Sequence, residues 1–175
     1  EEALRLYDRM LLEECCADTF TFVGVLKACA TVAMIDKGRD IHTTILKKGL
    51  EINTYVECTL VDMYAQCASL EEACRTFSFL RIKTIVSWSA LIGGYAQYGC
   101  SLKALQLFID MHQDGIEPDE VAFLCILKAC NNSRLLNYGY LVHSQLIHLG
   151  FQSNKAIENS LVDMYSKCSS LDNAW

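Results

Sequence analysis

The sequence repeats itself at a fixed interval of 101 residues. Leu26-Lys27-Ala28-Cys29 recurs as Leu127-Lys128-Ala129-Cys130, and Leu60-Val61-Asp62-Met63-Tyr64 recurs as Leu161-Val162-Asp163-Met164-Tyr165, both after 101 positions. An interval of this length is too long for one helical hairpin, but it divides into three units of the size typical of helix-turn-helix solenoids. The repeat therefore predicts one continuous all-α array.

Residues 85–119 show how one unit is built. Apolar residues at helical spacing indicate a first helix, Gly99 ends it, and a second apolar face follows before Gly115 and Pro118. The first face consists of Val86, Trp88, Leu91, Ile92 and Tyr95, and the second consists of Leu102, Leu105, Phe108 and Met111. The pattern predicts a helix, a turn, a second helix and a stop.

The same pattern divides the rest of the chain. In the shorter unit 54–84 we expect helices over Val56–Ala65 and Leu70–Phe79. Since both ends of the chain fall within a unit, the sequence is predicted to be a fragment of a longer array. The predicted units are 1–18 (a second helix), 19–53, 54–84, 85–119, 120–154 and the incomplete 155–175.

Composition argues against several classes of protein. Hydrophobic residues make up 52% of the chain, which predicts an ordered fold rather than a disordered segment. The longest apolar runs, such as 90–95, are far shorter than the roughly 20 residues of a membrane-spanning helix, so no membrane contact is expected. Ten cysteines without a signal peptide predict free, mostly buried thiols in a reducing compartment.

No arrangement of residues indicates catalysis. There is no Cys-x-x-Cys pair, no histidine begins a His-x-Glu motif, and Gly93-Gly94 lies within a helical pattern rather than a phosphate-binding loop. His42 and His143 lie beside apolar residues in second helices, which favours a structural role. We therefore predict no enzyme activity, no metal, no cofactor and no small-molecule substrate.

Unit 85–119 contains three phrases in order: Val86-Ser87-Trp88-Ser89-Ala90-Leu91-Ile92-Gly93-Gly94-Tyr95-Ala96-Gln97, Ala104-Leu105-Gln106-Leu107-Phe108 and Gly115-Ile116-Glu117-Pro118-Asp119. Together these phrases resemble a plant pentatricopeptide repeat. The unit lengths resemble the alternating standard (P), long (L) and short (S) motifs of the PLS subclass, found in plant organellar RNA-editing factors. On this resemblance 1–18 and 85–119 are P repeats, 19–53 and 120–154 are L repeats, and 54–84 and 155–175 are S repeats.

The resemblance implies a right-handed α-solenoid whose first helices line a concave face that binds single-stranded RNA. Each full repeat would address one base through its fifth and last residues and wedge it with its second residue. In repeat 85–119 these are Ser89, Asp119 and Val86. A carboxylate only accepts hydrogen bonds, and guanine presents two adjacent donors on its Watson–Crick edge, so this pair is expected to favour guanine.

The other repeats are expected to select bases less well. Cys58 and Thr84 do not form a pair with suitable donors and acceptors, and an apolar fifth residue can contact a base but cannot specify it by hydrogen bonding. The L repeats carry Val23 with Asn53 and Leu124 with Asn154, and Asn159 would recognise a base with a partner beyond Trp175. A simpler alternative is that Ser89 lies exposed and Asp119 caps the helix beginning near Glu120.

Two functions stay open. The first is an RNA-binding module that positions a transcript in a mitochondrion or chloroplast for editing or processing, with other editing or processing proteins as further partners. The alternative is a protein-interaction scaffold, because related solenoids bind peptides in the same groove. The net charge of −6 disfavours RNA unless cations gather along its path. The cations considered are Lys27, Lys47, Lys48, Lys83, Lys103 and Lys128.

Overall fold

A computed structural model of the chain describes residues 2–13, 15–50 and 53–169, which hold ten α-helices, one 3₁₀ turn and no strand. The 3₁₀ turn, Phe151–Ser153, comes before the last helix. The helices are α1 Glu2–Leu12, α2 Thr19–Val32, α3 Ile35–Lys47, α4 Thr54–Gln66, α5 Leu70–Phe79, α6 Ile85–Gln97, α7 Ser101–Gln113, α8 Glu120–Asn132, α9 Leu136–His148 and α10 Lys155–Ser169. The predicted all-α repeat of helix pairs is confirmed.

The chain forms two compact units, residues 1–91 and 92–175, which divide within α6. In the first unit α2 packs against α1, α3 and α4, and α4 also contacts α5. In the second unit α8 packs against α7, α9 and α10. In each unit one first helix, α2 or α8, therefore packs against the first helix of the next repeat. The same helix also packs against the second helices of its own and the preceding repeat. The limits of the repeats, their P, L and S types and the handedness of the superhelix stay predictions.

The core repeats at the same interval as the sequence. Phe22 of α2 is fully buried, and its ring packs against that of Tyr7 in a T-shaped arrangement with 6.1 Å between ring centres. Burying a large apolar side chain stabilises a fold by about 1.5–3 kcal/mol, so such positions hold the helix pairs together. The buried pairs at this interval include Phe22 and Phe123, Leu26 and Leu127, Ile45 and Leu146, and Met63 and Met164.

Two glycines let a second helix approach the next first helix closely. A Cβ atom on Gly38 of α3 would lie 2.5 Å from Sδ of Met63 in α4, and Gly139 of α9 is equally crowded by Met164 of α10. Both methionines are fully buried. The glycines at this interval therefore reflect packing at matching interfaces.

Two residues assigned to apolar helix faces are exposed. Val86 and Leu102 have 60% and 66% of their surface accessible, so neither shares the buried face of the apolar residues with which it was grouped. A helix turns about 100° per residue, which sets Val86 nearly opposite the buried Trp88. Leu102 likewise falls beyond the edge of the buried side of α7, which Leu105, Phe108 and Met111 occupy.

The turn between the two helices of a repeat requires a left-handed residue. Gly99 has φ 77° there, but at the same place in the other units Ala33, Ala68 and Arg134 have φ 54°, 61° and 53°. A residue with a Cβ atom is strained in this conformation, whereas glycine is not.

We therefore expect Ala33→Gly to raise the free energy of unfolding by about 0.5–1 kcal/mol, measured by urea denaturation. The matched control is Ala28→Gly within α2, which should lower it by about 1 kcal/mol because glycine disfavours a helix interior. A loss of stability from both substitutions would contradict the assigned strain.

Candidate nucleic-acid interface

Each of the first helices α2 and α8 leaves one stripe of residues exposed. In α2 the stripe consists of Phe20, Gly24, Lys27 and Thr31, which share one side of the helix at its rotation of about 100° per residue. The opposite side of α2 contributes Phe22, Val25, Leu26 and Cys29 to the core. The stripe is a surface that the packing of the repeats does not use.

In α2, α4, α6 and α8 the second residue of the first helix is a large exposed apolar side chain. Val86, at 60% exposure, was the residue predicted to wedge a base. Phe20, Tyr55 and Val121 occupy the same place in their repeats and were missed, although counting two residues from each repeat start would have found them. Their exposed fractions are 86% for Phe20, 79% for Tyr55 and 54% for Val121.

The fifth residues differ in accessibility. Val23 and Leu124 are half-buried, and Asn159 is exposed on α10. Cys58 and Ser89 are buried, with 7% and 6% of their surface accessible. The alternative in which Ser89 merely lies exposed on its helix is therefore wrong.

The last residue of a repeat caps the helix that follows. Oδ1 of Asp119 accepts a hydrogen bond from the backbone N–H of Ala122 at 2.8 Å, so the predicted capping role is confirmed. Asn53 and Asn154 accept in the same way from Tyr55 and Ala156, each at 3.0 Å. The cap holds each side chain at the start of a first helix, next to the exposed second residue.

Asp18 is a further residue of this type that the sequence analysis missed. It precedes Asp119 by the repeat interval, and its Oδ1 accepts from the backbone N–H of Thr21 at 2.8 Å and from the Thr21 hydroxyl at 2.7 Å. These hydrogen bonds lower the pKa of the Asp18 carboxyl, because they favour its charged form. The interval itself was the signal that could have identified Asp18.

Cys58 and Thr84, a predicted pair of a fifth and a last residue, lie in contact. Sγ of Cys58 lies 3.2 Å from Oγ1 of Thr84, so the two side chains bond to each other. The backbone N–H of Thr84 also donates to the Ser87 hydroxyl at 3.0 Å, and the backbone N–H of Ser87 donates to the Thr84 hydroxyl at 3.3 Å. The poor base selection expected of Cys58 and Thr84 stays a prediction. The other pairings stay predictions.

The lysines lie on first helices, on second helices and between them. Lys27 and Lys128 lie on the exposed stripes of the first helices α2 and α8, whereas Lys103 lies on a second helix. Lys83 has its Nζ 5.3 Å from the ring centre of Phe77 and 5.6 Å from that of Trp88. Lys47 and Lys48 lie at the end of the second helix α3. Of the six lysines considered as offsetting the net negative charge along an RNA path, Lys27 and Lys128 thus lie on first helices and the others do not.

The two repeated histidines are structural, as predicted. Nδ1 of His42 lies 2.8 Å from the Tyr64 hydroxyl, and His143 and Tyr165 repeat this contact at 2.8 Å. Burial lowers the pKa of His42, because it disfavours the charged ring.

The cysteines are free thiols, as predicted, but the expectation that most of them are buried is wrong. Cys29, Cys58, Cys130 and Cys168 are buried, and the other six are half-buried or exposed. Burial raises the pKa of Cys29 to about 11 and that of Cys130 to about 12, which makes both thiols poor nucleophiles at neutral pH. Across the described ranges no three metal-ligating side chains cluster. Within the same ranges no helix is sufficiently long and apolar to cross a bilayer.

Comparison with known proteins bears on this arrangement. A model of the PPR repeat family matches residues 83–132. A mitochondrial pentatricopeptide repeat-containing protein of Arabidopsis thaliana is 38% identical over 173 residues, which are 99% of this chain and 19% of that protein. The chain belongs to the pentatricopeptide repeat (PPR) family. A second A. thaliana relative, a putative PPR-containing protein, is 37% identical over 98% of the chain, which spans 24% of its length.

Solved structures support the PPR fold. The crystal structure of PPR10 from maize matches with a TM-score of 0.75 at 20% identity, over 96% of this chain and 25% of PPR10. PPR10 in complex with an 18-nucleotide psaJ RNA element matches with a TM-score of 0.81, at the same identity and coverage. At this identity the likeness establishes the helical-repeat fold.

Proposed function

We propose that the chain binds single-stranded RNA along the first helices of its repeats. The observation that carries this proposal is the start of each first helix, where a capping polar residue is followed by an exposed apolar one. Asn53 with Tyr55 and Asp119 with Val121 show the arrangement. An unpaired base offers a flat face for stacking and an edge for hydrogen bonds, so such a surface suits single strands. The RNA-bound structure of PPR10, which shares the fold, supports the proposal.

Within this surface, repeat 85–119 is proposed to favour guanine. Asp119 is held by its cap to Ala122 at the first turn of α8 and is half-buried, so it is more accessible than Ser89. A carboxylate accepts from both the N1–H and N2–H donors of guanine, whereas adenine offers a donor beside an acceptor. Base selection should therefore depend on the chemistry of residue 119.

The biological role that we propose is to position an organellar transcript for editing or processing, with catalysis supplied by other proteins or other parts of the protein. The PLS motif pattern and the mitochondrial names of several relatives support an organelle, mitochondrion or chloroplast. Asn159 on α10 is proposed to contact a further base.

The test is a titration of fluorescein-labelled RNAs of about ten nucleotides, which differ only by guanine or adenine in a uridine background. The wild-type chain should prefer guanine, and Asp119→Asn should move the preference toward adenine by about tenfold, because an amide adds a donor. Asparagine is as good a cap as aspartate, so α8 should remain intact.

The matched control is Asp110→Asn, which makes the same charge change on α7, a second helix, where Asp110 accepts from Gln106 at 2.8 Å. It should leave the base preference unaltered. If the wild type binds none of these RNAs at low salt, the proposal fails and the acidic balance favours a protein-interaction scaffold.

A further inference from the structure

The exposed stripes of α2 and α8 carry a lysine at the same place. Lys27 and Lys128 are the ninth residues of repeats 19–53 and 120–154, and both are exposed. Each follows the second residue of its repeat, Phe20 or Val121, by seven positions, which is two helical turns or roughly 10 Å along the axis. Among the described residues neither lysine forms an ion pair.

The ninth residue differs in the other repeats. It is Gly93 in α6, Asp62 in α4 and Asp163 in α10. Nε2 of Gln66 donates to Asp62 at 2.8 Å, and Nζ of Lys167 donates to Asp163 at 2.9 Å. At this position the L repeats thus carry a cation that forms no ion pair among the described residues, and the S repeats carry a hydrogen-bonded carboxylate.

We propose that Lys27 and Lys128 bind phosphate groups of the RNA backbone, so that the L repeats hold the strand while the P repeat selects a base. This inference rests on the proposed function and adds a role within it. An ammonium group on a long flexible stem is a compact cation with three donors, which suits a phosphate oxygen but specifies no base. Val23 and Leu124, the apolar fifth residues, lie one turn before these lysines on the same side.

The dependence of RNA binding on salt tests this role. Each lysine that neutralises a phosphate of a single strand contributes about 0.7 to the slope of log K against log salt concentration. With the guanine-containing RNA of about ten nucleotides as probe, Kd is measured at several KCl concentrations from about 20 to 200 mM. We expect Lys27→Gln and Lys128→Gln each to reduce the slope by about 0.7, and the double variant by about 1.4.

Two controls separate a phosphate contact from a change in net charge. Lys103→Gln removes an exposed lysine that forms no ion pair among the described residues, but it lies on the second helix α7, so the slope should stay at its wild-type value. Lys27→Arg keeps the cation and should also preserve the slope.

Three results would overturn the inference. If the wild type binds RNA but both glutamine variants keep its slope, the phosphate role fails and the proposed RNA function stands. An equal reduction by Lys103→Gln would mean that the whole charge of the chain, not the stripe, attracts RNA. If the wild type does not bind RNA even at the lowest salt, the proposed function fails and this inference fails with it.

Discussion

Phe22→Ala is expected to lower the free energy of unfolding by about 3–5 kcal/mol. Phe22 is fully buried in α2, where its ring packs against the Tyr7 ring and its ring centre lies 5.8 Å from Nζ of Lys48. Truncation removes the ring from the core and leaves a cavity that neighbouring helices close only in part. Because a typical domain is stable by only about 5–15 kcal/mol, the loss should be a large shift in a urea denaturation curve.

The matched control lies two residues earlier in the same helix. Phe20→Ala makes the same chemical change at a side chain with 86% of its surface exposed, so stability should change by less than about 0.5 kcal/mol. Phe123→Ala should reproduce the Phe22 loss in the second unit, since Phe123 is fully buried against Phe108 and Phe151. Equal losses from Phe20→Ala and Phe22→Ala would contradict the assigned buried face of α2.

The helices and much of the core could be predicted from the sequence because both follow from local periodicity. An apolar side chain that recurs every three or four residues has to lie on one face of a helix, and the interval of 101 residues showed which faces are copies of each other. Leu26 and Leu127, both buried, were within the repeated phrases. The predicted second helix over 70–79 is observed as α5, Leu70–Phe79.

The details of the interface depend on contacts that periodicity does not describe. Cys58 and Thr84 are 26 residues apart, and their hydrogen bond exists because the loop after α5 returns to α4. Val86 is apolar like its buried neighbours, so only its angular position on α6 identifies it as exposed. Asp119 is suited both to capping and to base contact, so its residue type alone does not separate the two roles.

Phe20→Ala and Tyr55→Ala are each expected to weaken RNA binding by about 1–3 kcal/mol, or roughly 5- to 150-fold in Kd. Both rings are largely accessible at the start of a first helix, each two residues after the capping residue, Asp18 or Asn53. Stacking on a base would bury a ring face that the fold leaves in water, which gives the exposed rings a function that packing does not explain. Fluorescence anisotropy with the RNAs of about ten nucleotides measures the effect.

The control for these rings is Phe79→Ala. Phe79 is as exposed as Tyr55, at 79%, but it ends the second helix α5, so its removal should leave RNA binding unaltered. Stacking also differs from phosphate binding in its response to salt. Phe20→Ala removes no charge and should weaken binding equally at all salt concentrations, whereas Lys27→Gln should change the slope. Equal weakening by Phe79→Ala would show that exposed aromatic surface binds RNA without regard to the first helices.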